Sequence, residues 1–100
     1  DEKGGFISVW RRENQLFTSK MGGQEQLLGQ GRNASIATST QHTFIVWHDK
    51  GQVWVSSSTQ AQPLNLGAGR YPRVVMLNPR LAFCAWEDKE TIKGMILKME

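Results

Sequence analysis

Apolar residues in this chain fall into short blocks, each closed by a tryptophan, with polar stretches between them. Trp10, Trp47 and Trp86 each end such a block, and each is followed six residues later by an aliphatic residue, namely Leu16, Val53 and Ile92. The segment Thr43-Phe44-Ile45-Val46-Trp47 is β-branched and aromatic, too short for a helix, and runs into His48-Asp49-Lys50-Gly51. There the Asp can bond its own backbone and the Gly can take positive φ, so a turn is predicted, with residues 52–57 as the returning strand. Residues 6–10 with 16–20, and 81–86 with 92–97, predict two further hairpins at the same spacing. Their connections, Arg11-Arg12-Glu13-Asn14 and Glu87-Asp88-Lys89-Glu90, match in length but not in residue type.

The polar stretches carry a second repeated signal. Leu28-Gly29-Gln30-Gly31-Arg32 returns as Leu66-Gly67-Ala68-Gly69-Arg70, displaced by 38 residues. Each Leu-Gly ends a short segment that reads as an outer strand; the glycines turn the chain, and residues 35–38 or 73–76 follow as an inner strand. Four short antiparallel strands per period is the spacing of a propeller blade. The hairpin strands support that reading, because a sheet with one wet face alternates apolar and polar residues. Phe44-Ile45-Val46-Trp47 and Ala82-Phe83-Cys84-Ala85-Trp86 are apolar on both faces, so both faces are expected to be covered. The three tryptophans are expected to fill the widening gap between neighbouring blades. The predicted fold is all-β, a single domain over residues 1–100 with repeats at about 1–30, 31–68 and 69–100.

Chain length adds a constraint. One hundred residues hold about 2.6 periods, whereas closed propellers need roughly four to eight blades. Strands number three, four and three in the successive repeats, the first lacking an inner strand and the last an outer one. An open stack exposes apolar faces and free edges. The expected solution is a ring completed by oligomerisation, most simply a homodimer, or membership of a longer propeller.

The pattern Gly-x-Gly-Arg-x-Pro-x-Val-Val from Gly67, then a spacer, Phe-x-x-Trp-x-Asp at 83–88 and 44–49, a hairpin and a Ser-rich strand resembles the degenerate blades of sialidase-like (BNR-type) β-propeller proteins. The Asp-box of true sialidases, Ser-x-Asp-x-Gly-x-x-Trp, is absent; Ser56-Ser57-Ser58-Thr59-Gln60 stands near its place without the Asp or Trp. In the first repeat Trp10-Arg11-Arg12 replaces Trp-x-Asp. The resemblance implies an arginine cluster that holds a substrate carboxylate, a task suited to the bidentate guanidinium fork. It also favours an extracellular or periplasmic setting.

Arg32 and Arg70 stand just before the inner strands, where loops approach the mouth of a channel, and are the leading ligand-binding candidates. Tyr71, the sole tyrosine, follows Arg70 and precedes Pro72. Trp54 is a candidate for stacking on a sugar ring, because its counterparts in the other repeats are Phe17 and Lys93 rather than a fixed aromatic. Each has a plainer reading: the arginines bond neighbouring carbonyls or carboxylates, and the aromatics pack.

Composition removes several alternatives. A net charge of +3, from 12 Lys and Arg scattered among 9 Asp and Glu, lacks the dense basic run of a nucleic-acid footprint. No run approaches the 18 or so apolar residues of a membrane span. The chain starts at Asp1 without a signal-like segment, as a mature or trimmed product also would, so the compartment stays open. Cys84, the one cysteine, sits among apolar neighbours and reads as a buried hydrophobe. His42 and His48 lack companions at ligand spacing except Asp49, so no metal site and no cofactor is expected. Glycoside hydrolysis needs two placed carboxylates, or a tyrosine with a carboxylate partner. Glu13, Asp49, Glu87, Asp88 and Glu90 all lie at hairpin turns, so no catalytic residue is assigned. Gly29-x-Gly31 and Gly67-x-Gly69 precede strands, not the helix N-terminus of a phosphate cradle. The expected function is a non-catalytic binding or assembly module, taking carbohydrate or an anionic glycan. The alternatives are a sialidase-like hydrolase or a fragment of one, and a protein-interaction scaffold.

Overall fold

The structure is a computed structural model, and it describes residues 7–20, 24–40, 42–58, 60 and 62–98. Phe6, the expected start of the first strand, lies outside the described residues. Strands β1 (Ile7–Arg12), β2 (Gln15–Lys20) and β3 (Gln26–Gln30) are followed by β4 (Arg32–Thr38), β5 (Thr43–Asp49), β6 (Gln52–Ser57) and β7 (Leu64–Ala68). The chain ends with β8 (Arg70–Asn78), β9 (Leu81–Asp88) and β10 (Thr91–Lys98). Among the described residues there is no helix, and so none long and apolar enough to cross a membrane.

Pairing is antiparallel throughout and forms three sheets, β1-β2-β3, β4-β5-β6-β7 and β8-β9-β10. The all-β expectation holds, as does the succession of three, four and three strands. Each central hairpin closes through a residue at positive φ, Glu13 (57°), Lys50 (52°) or Lys89 (59°). Only the middle turn adds a glycine, Gly51, so the turn geometry recurs with little help from residue type.

Strand β5 shows why its sequence is apolar on both faces. Phe44 and Val46 join Val53, Val55, Val74, Cys84 and Trp86 in a core between the second and third sheets. Ile45 and Trp47 point the other way and join Leu16 in a smaller core against the first sheet, flanked by Val9 and Leu28. Strand β9 differs from expectation. Ala82, Cys84 and Trp86 are buried against the second sheet, but Phe83 on the opposite face is exposed. Trp47 and Trp86 are buried wedges as expected, whereas Trp10 is only half-buried. It stacks on Phe17 with centroids 6.1 Å apart, on the face of the first sheet turned away from the second.

The repeated glycines do more than turn the chain. Strands β3 and β7 run through Gly29 and Gly67, and Gly31 and Gly69 are the single residues between one sheet and the next. A Cβ on Gly31 would overlap the Trp47 indole and approach the His48 carbonyl to 2.7 Å; on Gly69 it would overlap Trp86 and approach the Glu87 carbonyl to 2.8 Å. The Gly-x-Gly-Arg and Trp signals are therefore two halves of one contact, in which the bare backbone lies across an indole. The same glycines bond the preceding hairpin turn: Gly31 N–H donates to Asn14 O at 2.8 Å and Gly69 N–H to Gly51 O at 2.9 Å. The edge strands β4 and β8 are tied by Val74 N–H to Ser35 Oγ at 3.2 Å, and the segments that follow them by Ser39 Oγ–H to the Pro79 carbonyl at 2.9 Å.

Candidate anion-binding site

Strands β4 and β8 begin with the same irregularity, a register shift between Arg32 and Ser35 and between Arg70 and Arg73. One residue in each takes a left-handed conformation, Asn33 at φ 56° and Tyr71 at φ 55°. Asn tolerates this region because its short side chain can bond locally, whereas an aromatic residue there costs about 1–2 kcal/mol. Tyr71 is held in it from the neighbouring sheet: its N–H donates to Nδ1 of His48 at 3.0 Å. The two rings meet edge to face, with centroids 5.2 Å apart. Pro72, which follows, is buried.

His48 stands opposite Arg32 in the β4–β5 register and is the centre of this end of the molecule. Its pKa is lowered by burial first, then by the charge of Arg70 and of Arg32, against an opposing contribution from Asp49. Accepting a hydrogen bond at Nδ1 works in the same direction, since the accepting nitrogen must be unprotonated. The imidazole is therefore neutral at pH 7, with its proton on Nε2. Arg32 Nη2 donates to Asn14 Oδ1 on the first sheet at 3.3 Å. Among the described residues the ion pairs are Arg12 with Glu25 and Lys93 with Asp88, so neither Arg32 nor Arg70 has its charge neutralised by a carboxylate contact.

Of the residues singled out from sequence, Arg32, Arg70 and Tyr71 are thus brought together, and His48 joins them. Sequence reasoning considered His48 only as a metal ligand; its place beside both arginines depends on the β4–β5 register and on the inter-sheet bond, neither visible in the sequence. His42 lies at the far end of β5, buried against Phe44 with centroids 5.4 Å apart, so the histidines do not pair. No group of three or more metal-ligating side chains occurs among the described residues. Trp54 is half-buried beside the Leu16, Ile45 and Trp47 core, opposite Trp47 in the β5–β6 register. The acidic turn residues lie where expected; Asp88 bonds Lys93 at 2.8 Å, which lowers its carboxyl pKa.

A second concavity lies between the first and second sheets at the opposite end of the strands. It has a volume of about 630 Å³, and its lining includes Thr18, Gln26, Thr43, Ser56 and Ser58 alongside Leu27, Leu28 and Ile45. Counting from Trp47 and Trp86, the third sheet carries Ala82, Met95 and Leu97 where the second has Thr43, Ser56 and Ser58. There Ala82 and Leu97 are buried in the core, whereas Met95 is exposed.

No protein-family model, curated protein or solved structure matches this chain.

Proposed function

We propose that this chain is a non-catalytic binding module built from propeller-type blades, and that Arg32 and Arg70, with His48 between them, bind the carboxylate of an anionic glycan. One observation carries the reading: Arg32 stands opposite His48 in the β4–β5 register and Arg70 precedes Tyr71, whose N–H bonds His48, and among the described residues neither arginine forms an ion pair with a carboxylate. A planar anion receives paired N–H donors from such a fork, and the uncharged His48 adds a further donor at Nε2. The strained backbone of Tyr71 supports a role for this end of the molecule, because strain of that kind concentrates where function requires it. The blade reading draws on the three successive sheets, each packed through a Trp-bearing face where a neighbour precedes it. Ring closure then comes from a second copy or from further chain.

The test is a glycan array carrying sialylated, uronate-containing and neutral oligosaccharides, probed with the chain and with its Arg32→Ala, Arg70→Ala double variant. Acidic glycans are expected to bind and to lose at least ~10-fold in affinity in the variant, as two charge-assisted contacts disappear. Unchanged binding to every acidic glycan ends the proposal. Binding of neutral sugars that survives the arginine changes but is lost in Ser56→Met places the ligand in the polar cleft. Turnover of a fluorogenic sialoside that Tyr71→Phe abolishes would replace binding by the alternative of a sialidase-like hydrolase.

A further inference from the structure

The third sheet turns outward a face that is apolar across all three of its strands. Val75, Phe83 and Ile96 lie side by side in register and are 55%, 38% and 47% exposed. Ile92 and Leu77 extend the patch. Contiguous apolar surface of this kind is uncommon on a monomer and marks an interaction surface.

The chain's own interfaces show what fits it. Each is made in one sense, with the Trp-bearing face of a sheet packed on the aliphatic face of the sheet before it. Trp47 and Ile45 lie on Leu16 and Val9; Trp86 and Cys84 lie on Val46 and Val53. Phe83 stands three residues before Trp86 as Phe44 stands three before Trp47, and Phe44 is buried by the sheet that follows it. The open face of the third sheet is therefore of the kind that receives a Trp-bearing face. One such face is also left open, on the first sheet, where Trp10, Phe17 and Leu27 lie in register and Leu27 is 58% exposed.

We infer that a second copy of this chain docks its first sheet on the outer face of the third, with Trp10 as the wedge, and that two copies pair reciprocally to enclose both open faces. The inference rests on the blade reading; Arg70 stands opposite Glu87 at the turn end of the docked face, but the test below reads association and not anion binding, so the two fail separately. A head-to-tail contact of this type closes when the rotation returns the second copy to the first.

Sedimentation velocity over 10–200 μM, with circular dichroism to verify folding, tests it. Two variants are used: Val75→Glu with Ile96→Glu on the third sheet, and Leu27→Glu on the first. All three positions are exposed, so the variants are expected to fold. The unaltered chain should sediment as a dimer, and each variant alone should associate roughly 100-fold more weakly or not at all. Mixing the two variants should restore a 1:1 pair, because each retains the face the other has lost. A monomeric unaltered chain at 200 μM overturns the inference. So does a first-sheet variant that dimerises alone while the third-sheet variant does not, since that outcome means two third sheets face each other.

Discussion

The backbone N–H of Tyr71 in β8 donates to Nδ1 of His48 in β5 at 3.0 Å, joining the third sheet to the second. That bond requires an unprotonated Nδ1, so it couples stability to pH. The folded pKa of His48 lies below its ordinary value of 6.5. Between the two values the unfolded chain holds a proton that the folded chain lacks. Stability is therefore full above about pH 6.5, falls as pH drops through the folded pKa, and levels off beneath it. Thermal midpoints taken from pH 7.5 to 5 should show this decline, and His48→Asn, which keeps an acceptor near Nδ1 without titrating in this range, should flatten it. An equal slope in both proteins would assign the effect elsewhere. Anion binding has the opposite sign: an anion between Arg32 and Arg70 favours His48⁺, so acidic glycans should bind more tightly as pH falls.

Gly31 and Gly69 lie against indoles at φ 155° and 154°. Alanine at either position must displace Trp47 or Trp86 as well as a backbone carbonyl, a combination of overpacking and backbone strain worth about 3 kcal/mol or more. Gly51 is a control, with φ 77° and nothing within 4 Å of a Cβ. Its alanine variant meets conformational strain alone, about 1 kcal/mol. Urea unfolding of the three variants should separate them in that order, and Gly51→Ala as damaging as Gly69→Ala would refute the close-contact account.

The tryptophans should divide in the same way. Trp86 is 4% exposed, and its Nε1–H donates to the Ala68 carbonyl at 3.0 Å, so Trp86→Ala removes a core wedge together with that hydrogen bond. A loss of about 3–5 kcal/mol follows, enough to unfold most of the chain given the marginal stability of small domains. Trp10→Ala, measured at a concentration where the chain is monomeric, loses mainly its stacking on Phe17, about 1 kcal/mol. Comparable losses at the two sites would mean that Trp10 already serves as a core residue within one chain.

The contrast between Trp10 and Trp86 also marks how far the sequence could be read. Strand order and number were legible because period-two burial, turn residues and the Trp spacing all agree locally. The apolar run of β5 correctly implied cover on both faces, since Phe44 and Ile45 are buried on opposite sides. An identical pattern in β9 led to the same expectation, yet Phe83 is exposed, because cover is supplied by a neighbouring sheet and not by the strand itself. At the candidate site Arg32, Arg70 and Tyr71 were visible through their repeat positions. His48 was not, because its role arises from a cross-sheet hydrogen bond to a backbone N–H. The polar cleft was equally hidden: counting from Trp47 and Trp86 pairs Ser56 with Met95 in the sequence, but that Ser56 lines a gap depends on how the first and second sheets pack.

Cys84 offers a direct reading of how tightly the second and third sheets close. Its side chain is 0% exposed in the core with Val46 and Trp86, and burial pushes its thiol pKa up to about 11. Both access and thiolate formation are therefore suppressed in the folded state, since the thiolate is the reactive species. At pH 8 a disulfide reagent such as Ellman's should label the folded chain only through unfolding, and the labelling rate should rise about tenfold for each ~1.4 kcal/mol of stability removed. Gly69→Ala should then label faster by the factor its urea midpoint implies, while Leu27→Glu, on the far face of the first sheet, should leave the rate nearly unchanged in the monomer. The raised pKa has a further consequence of fixed sign. Above the ordinary thiol value of about 8.5 the unfolded chain loses a proton that the folded chain retains, so stability should decline from there towards pH 11. Rapid labelling of the native chain, with no dependence on denaturant, would show instead that the two sheets part without global unfolding.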